Sequence, residues 1–146
     1  PLDQTNKFNF SIKFIKNLDF LNKKELHNIR QFENKNLKSK KKLFIYLNYS
    51  GKDDIFNASK SLHKSNQFNT KTFHKHLASG QIPDPDILIR SGNTKRISNF
   101  LLWQITYTEI FFEKKMWPEF TKRDFYKVIK KYETIKRNFG GLNDRN

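Results

Sequence analysis

Apolar and polar residues alternate through Phe8, Phe10, Ile12 and Phe14, the period of a half-buried strand, which predicts β-structure over residues 8–16. The period then changes. Leu26, Ile29 and Phe32 recur at helical spacing behind Asn22, a suitable cap, and predict a helix over 22–35. A second strand is expected over Leu43–Asn48, closed by the turn Tyr49-Ser-Gly51. Ile55, Ala58 and Leu62 then predict a helix from about Asp53, and Phe73 with Leu77 a shorter one that stops at Gly80. Two apolar runs, Ile87–Arg90 and Glu109–Phe112, read as further strands, with a short helix between them over Asn99–Gln104. The last helix is the clearest: Thr121 and Asp124 open it as a capping box, and Phe125, Val128, Ile129, Tyr132 and Ile135 form its apolar stripe as far as Asn138. Strands alternating with helices argue for an α/β fold, a mainly parallel sheet with helices on both faces. We expect a single domain over residues 1–146.

Charge narrows the partners. The chain has 29 Lys and Arg against 14 Asp and Glu, a net charge of +15, but the positive residues are mostly lysines spread along it, with one cluster at Lys38, Lys40, Lys41 and Lys42. An anionic membrane surface is a better use of such lysines than nucleic acid, since each contributes about 1 kcal/mol near acidic lipid. There is no cysteine, hence no disulfide, thiolate metal site or cysteine nucleophile. No apolar run approaches the roughly 20 residues of a membrane-spanning helix. The expectation is a soluble cytoplasmic protein, peripheral at the inner face of the plasma membrane if it meets lipid at all.

Only Arg30, Arg90, Arg96, Arg123, Arg137 and Arg145 break the preference for lysine. Two of them flank one short loop after an apolar run. Guanidinium binds phosphate oxygens through a planar fork, which ammonium cannot do, so Arg90 and Arg96 point to a phosphate site. In an open parallel sheet such a site lies beyond the carboxyl ends of the strands. Ser98 adds a hydroxyl, and the N–H groups of Ile97 and Ser98 would open the expected helix, where unpaired donors favour an anion. Each residue also has an ordinary alternative: a solvated surface arginine, a helix-capping serine, a strand-end carboxylate at Glu109. His74 and His76 have the spacing of two metal ligands on a strand but fall in a helical segment, where their side chains diverge. Asp53-Asp54 lacks the third acid and the all-helical setting of an aspartate-rich prenyl-diphosphate motif.

The same segment resembles the cis-prenyltransferases typified by bacterial undecaprenyl diphosphate synthase. The resemblance rests on Pro85 to Arg90, Gly92, Arg96-Ile-Ser-Asn-Phe-Leu-Leu-Trp-Gln104, Tyr107 with Glu109, and Trp117 to Phe120. It continues more weakly in Leu47-Asn-Tyr-Ser-Gly51 and Arg137-Asn-Phe-Gly-Gly141. It implies that Arg90, Arg96, Ile97 and Ser98 bind isopentenyl diphosphate and that Glu109 supplies one carboxylate to Mg²⁺. It further implies condensation onto an allylic prenyl diphosphate with cis double bonds, and a homodimer. The family's Asp-Gly-Asn-Gly-Arg loop does not occur here, so the chain resembles a C-terminal portion lacking about 100 residues of an ordinary α/β domain. No residue of this chain is assigned a catalytic role, and the chain alone is expected not to turn over. Thr94 stands where the family often has an acid, Ser50-Gly51-Lys52 replaces a Gly-Gly-Arg turn, and Asn138 replaces the tail's second arginine. Two rival readings are a non-catalytic subunit of a heteromeric prenyltransferase and a basic nucleic-acid-binding domain.

Overall fold

A computed structural model describes residues 10–16, 20–35, 40–66 and 68–137, which fall into two units, Pro1–Ile82 and Pro83–Asn146. In the first, β1 (Phe10–Lys16) and β2 (Lys41–Leu47) pair in parallel, Phe10 against Lys41 through Lys16 against Leu47. A parallel pair needs a crossover, and α1 (Lys23–Lys35) lies in that connection. Asn22 and Glu25 exchange side-chain to backbone bonds of 2.9 Å each, a reciprocal cap that fixes the start of α1. Further along α1, Glu33 accepts the Phe14 N–H at 2.8 Å, and Phe32 meets the Phe14 ring edge-on, which ties helix to strand.

The next helix, α2 (Gly51–Ser65), starts two residues earlier than expected because Ser50, in extended conformation, accepts the Asp53 N–H. Asn66 closes it in the left-handed region, at φ 52°. The shorter helix α3 (Thr70–His76) is capped by Asn69 and ends before Gly80, because Leu77 turns extended and accepts the Gly80 N–H. Gly80 has a steric role there: a Cβ would fall on the His74 carbonyl oxygen and 2.7 Å from that of Lys75. Among the described residues of this unit, Ala58, Leu77 and Ile15 are the buried apolar ones. Asp54 is buried with them and accepts from the Tyr49 hydroxyl and the Ala78 N–H, both at 2.8 Å. Nearby, burial raises the pKa of the Tyr46 phenol, an effect its hydrogen bond with Ser79 partly offsets.

In the second unit β3 (Ile87–Arg90) and β4 (Glu109–Phe112) occupy the residues expected of them and also pair in parallel. Thus the described strands form two parallel pairs, each within its own unit. The helix expected over Asn99–Gln104 is not formed: Ser98, Asn99 and Leu101 have φ of 49°, 63° and 46°, and the segment is a chain of turns. A run of left-handed L-residues cannot continue a right-handed helix, since each costs roughly 1–2 kcal/mol. Leu101 and Ile105 are nonetheless buried, together with Val128 of α4 (Lys122–Glu133). That helix is shorter than expected at its C-terminal end, and only the middle of its stripe is covered; Phe125 and Ile135 are exposed, and Asn138 lies outside the described residues. Trp117, in a single 3-10 turn, is exposed and stacks on Phe120. Among the described residues no helix is long and apolar enough to cross a membrane.

The start of α4 makes a pH prediction. Asp124 accepts Lys115 Nζ at 2.8 Å, the Thr121 N–H at 2.9 Å and the Thr121 hydroxyl at 2.6 Å. These bonds, the one from Lys115 foremost, hold its carboxyl well below the usual carboxylate range. A lowered folded pKa contributes stability above the unfolded value, about 3.9, that is lost as pH falls through and below it. Thermal melts should therefore fall on acidification below roughly pH 4, and an Asp124→Asn variant should melt lower at neutral pH with a flatter acid limb. Parallel melting curves for the two proteins across this range would contradict it.

Candidate functional site

Residues 90–98 form a loop whose first residues, Arg90 to Asn93, are held by backbone bonds, while side-chain donors along it have no partner among the described residues. β3 ends at Arg90 because Gly92, at φ 94°, turns the chain, and Asn93 follows at φ 54°. The turn is held against the segment that follows β4: Gly92 N–H donates to Lys115 O at 2.8 Å, Asn93 N–H to Glu113 O at 3.1 Å, and Glu113 N–H to Arg90 O at 2.8 Å. At Gly92 the constraint is φ rather than space, since an added Cβ would meet only Met116 Sδ at 3.7 Å.

Within that frame the donors are uncommitted. Arg90 is half-buried, and its Nε is fully buried without a hydrogen-bond partner among the described residues. So is the hydroxyl of Thr94. Arg96 and Ser98 are exposed, and neither side chain takes part in an ion pair or hydrogen bond among the described residues. The N–H groups of Ile97 and Ser98 likewise donate to no described acceptor. Leaving a buried donor unpaired costs about 1–3 kcal/mol. Two such buried donors, with the exposed donors of Arg96 and Ser98 within the same nine residues, form a surface suited to an oxyanion that supplies the missing acceptors. The expected helix N-terminus is absent, so the N–H groups of Ile97 and Ser98 are free because of the left-handed turn rather than because a helix begins there. In the sequence Thr94 stands out only as a departure from an acid; its place between the two arginines, two residues before Arg96, is the available signal.

Glu109 is placed differently from Arg90. The register sets it against Ile87, whereas Arg90 pairs with Phe112. Three residues of strand separate the two levels by roughly 10 Å, and strand alternation puts the two side chains on opposite faces. The strand pair therefore does not bring Glu109 to the edge where Arg90 emerges. Among the described residues no group of three or more His, Cys, Asp or Glu is arranged to hold a metal ion. A lone half-buried Glu109 is compatible with Mg²⁺ only as one ligand beside phosphate oxygens and water. His74 and His76 lie in α3, so they do not converge.

Arg137 is already engaged. Its Nη1 donates to Asp86 Oδ1 at 2.6 Å and to the Tyr132 hydroxyl at 2.8 Å, and its Nη2 to the Tyr107 carbonyl at 3.0 Å. Asp86, the leading partner, raises the pKa of the guanidinium further.

Residues 2–140 match the prenyltransferase family described as "Putative undecaprenyl diphosphate synthase". An isoprenyl transferase of Aquifex pyrophilus is 36% identical over 146 residues, covering 97% of this chain and 63% of that protein. One from Thermotoga maritima is 43% identical over 106 residues, 68% of this chain and 46% of that protein. The chain thus spans about half to under two thirds of the length of these curated relatives. Among solved structures, a probable undecaprenyl diphosphate synthase from Campylobacter jejuni superposes with a TM-score of 0.83 at 31% identity, over 96% of this chain and 67% of that one. A lavandulyl diphosphate synthase from Lavandula x intermedia, in complex with dimethylallyl diphosphate, superposes with a TM-score of 0.87 at 25% identity, over 96% and 64% of the two chains. Sequence and fold agree, and the α/β chain described here belongs to the undecaprenyl diphosphate synthase family of prenyltransferases.

Proposed function

We propose that this chain is the C-terminal, isopentenyl-diphosphate-binding portion of a cis-prenyltransferase that builds a long polyprenyl diphosphate. The observation that carries the reading is the set of uncommitted donors over residues 90–98, the buried Arg90 Nε above all. In this reading Arg90 and Arg96 clamp the diphosphate of isopentenyl diphosphate, and Ser98 with the N–H groups of Ile97 and Ser98 completes its coordination. The held substrate's double bond attacks the allylic carbon of a prenyl diphosphate, a C–C bond forms as the C–O bond to pyrophosphate breaks, and a proton is lost to leave a cis double bond. The lavandulyl diphosphate synthase neighbour holds dimethylallyl diphosphate, which supports an allylic diphosphate as the second substrate class.

Glu109 would supply one carboxylate to Mg²⁺, whose chemistry is to neutralise charge on a diphosphate. The chain alone is inactive in this account, because the allylic diphosphate has no binding residues assigned within it. A homodimer and peripheral contact with an anionic membrane complete the proposal; the second is supported by the outer face of α4, where Lys122, Arg123, Lys127 and Lys130 are exposed beside Tyr126.

Arg96→Ala in the full-length protein tests the clamp. Hydrogen bonds to charged groups contribute about 1.5–3 kcal/mol, so affinity for isopentenyl diphosphate should fall more than about tenfold. Calorimetric titration measures it, and an unchanged affinity removes Arg96 from the site.

A further inference from the structure

We propose that Arg137 is a positioning residue, a clasp that fixes the register of the β3–β4 pair from its N-terminal end, an inference that rests on the diphosphate reading of Arg90. The two strands are only four residues long and have few bonds of their own to hold them level. Their N-terminal ends are instead cross-linked through one cluster. Glu109 N–H donates to Asp86 O at 3.1 Å, and the Thr108 hydroxyl to Pro85 O at 2.6 Å. Arg137 bridges the same two segments from the stretch that follows α4, bonding the Asp86 carboxylate at the entry to β3 and the Tyr107 carbonyl at the entry to β4. Its ring partner Tyr132 lies 5.6 Å away and also accepts from Nη1, so the guanidinium is held on α4's side as well.

Register matters here more than stability. A slip of one residue would turn the Arg90 side chain to the other face of the pair, because side chains alternate with a period of two. Asp86 is largely exposed, so its ion pair with Arg137 taken alone contributes little. The fork is what counts: one planar group reaches three acceptors on three segments, whereas a lysine's compact ammonium, though it has three donors, lacks that rigid span. Arg137 thereby has a role within its own chain.

The test compares Arg137→Ala, Arg137→Lys and Asp86→Asn in the full-length protein, reading KM for isopentenyl diphosphate, kcat and the hydrogen-exchange protection of the Glu109 amide. For Arg137→Ala we expect KM raised about three- to tenfold with kcat little changed, and Glu109 protection lowered about tenfold, in the range of one or two lost hydrogen bonds. Asp86→Asn should reproduce both effects more weakly, and Arg137→Lys should recover part of each. Should Arg137→Ala not fold, the two conservative variants carry the same readouts. An unchanged Glu109 protection overturns the clasp. A large KM effect of Arg137→Ala with none from Asp86→Asn also overturns it, placing Arg137 on the substrate. If the wild-type protein does not bind isopentenyl diphosphate, the functional reading fails by itself, while the exchange measurement still decides the clasp.

Discussion

Replacing Arg90 and Arg96 together by alanine in the full-length protein is expected to weaken isopentenyl diphosphate binding by about a hundredfold or more, the sum of two losses of about 1.5–3 kcal/mol each. The two arginines differ in setting. Arg90 is half-buried with an unpartnered Nε, so its loss also removes a donor already stripped of water. Arg96 is exposed, and its contribution is more open to screening by salt. The paired Lys variant separates geometry from charge: it keeps both positive charges but loses both forks, and should recover only part of the affinity. Full recovery with lysine would mean that charge alone suffices and that the scarcity of arginine elsewhere in the chain has no bearing on this site. Isothermal titration at two salt concentrations gives both answers.

The second large effect is on folding. Asp54→Ala should destabilise the first unit by about 3 kcal/mol or more, because it removes the charged acceptor of two hydrogen bonds and leaves the Ala78 N–H and the Tyr49 hydroxyl without it. Asp54 connects the first turn of α2 with the turn after α3, in the pocket of space bounded by Asn48, Ser50, Asp53 and Asn57. Denaturant unfolding followed by fluorescence measures the loss. An Asp54→Asn variant keeps one acceptor oxygen and should fall between wild type and alanine. If alanine is tolerated without loss, Asp54 is no structural tie and its burial needs another account.

Local chemistry made much of this structure readable in advance. The Asn22 and Thr121 caps, the apolar runs at Ile87–Arg90 and Glu109–Phe112, and the change of period between strand and helix all belong to short stretches of chain, and the elements formed where these signals lie. Other features are not written in short stretches of chain. Leu101, Gln104 and Ile105 are buried at helical spacing, as their pattern implies, and Ile105 N–H donates to Leu101 O. Yet the backbone enters that turn through left-handed residues, a state that side-chain periodicity does not encode. Which residue of β4 faces which of β3, Glu109 with Ile87 and Phe112 with Arg90, depends on long-range register that no short stretch encodes. Likewise the arginines at 90 and 96 were conspicuous by type, whereas the buried Thr94 hydroxyl became significant only once its neighbours were seen to leave it without an acceptor.

A crystal structure of the full-length protein with isopentenyl diphosphate tests the central claim most directly. The account predicts diphosphate oxygens within about 3.2 Å of both guanidinium groups of Arg90 and Arg96 and of the Ser98 hydroxyl or N–H, the range of a true hydrogen bond. A diphosphate bound elsewhere, with Arg90 Nε still unpartnered, would contradict it.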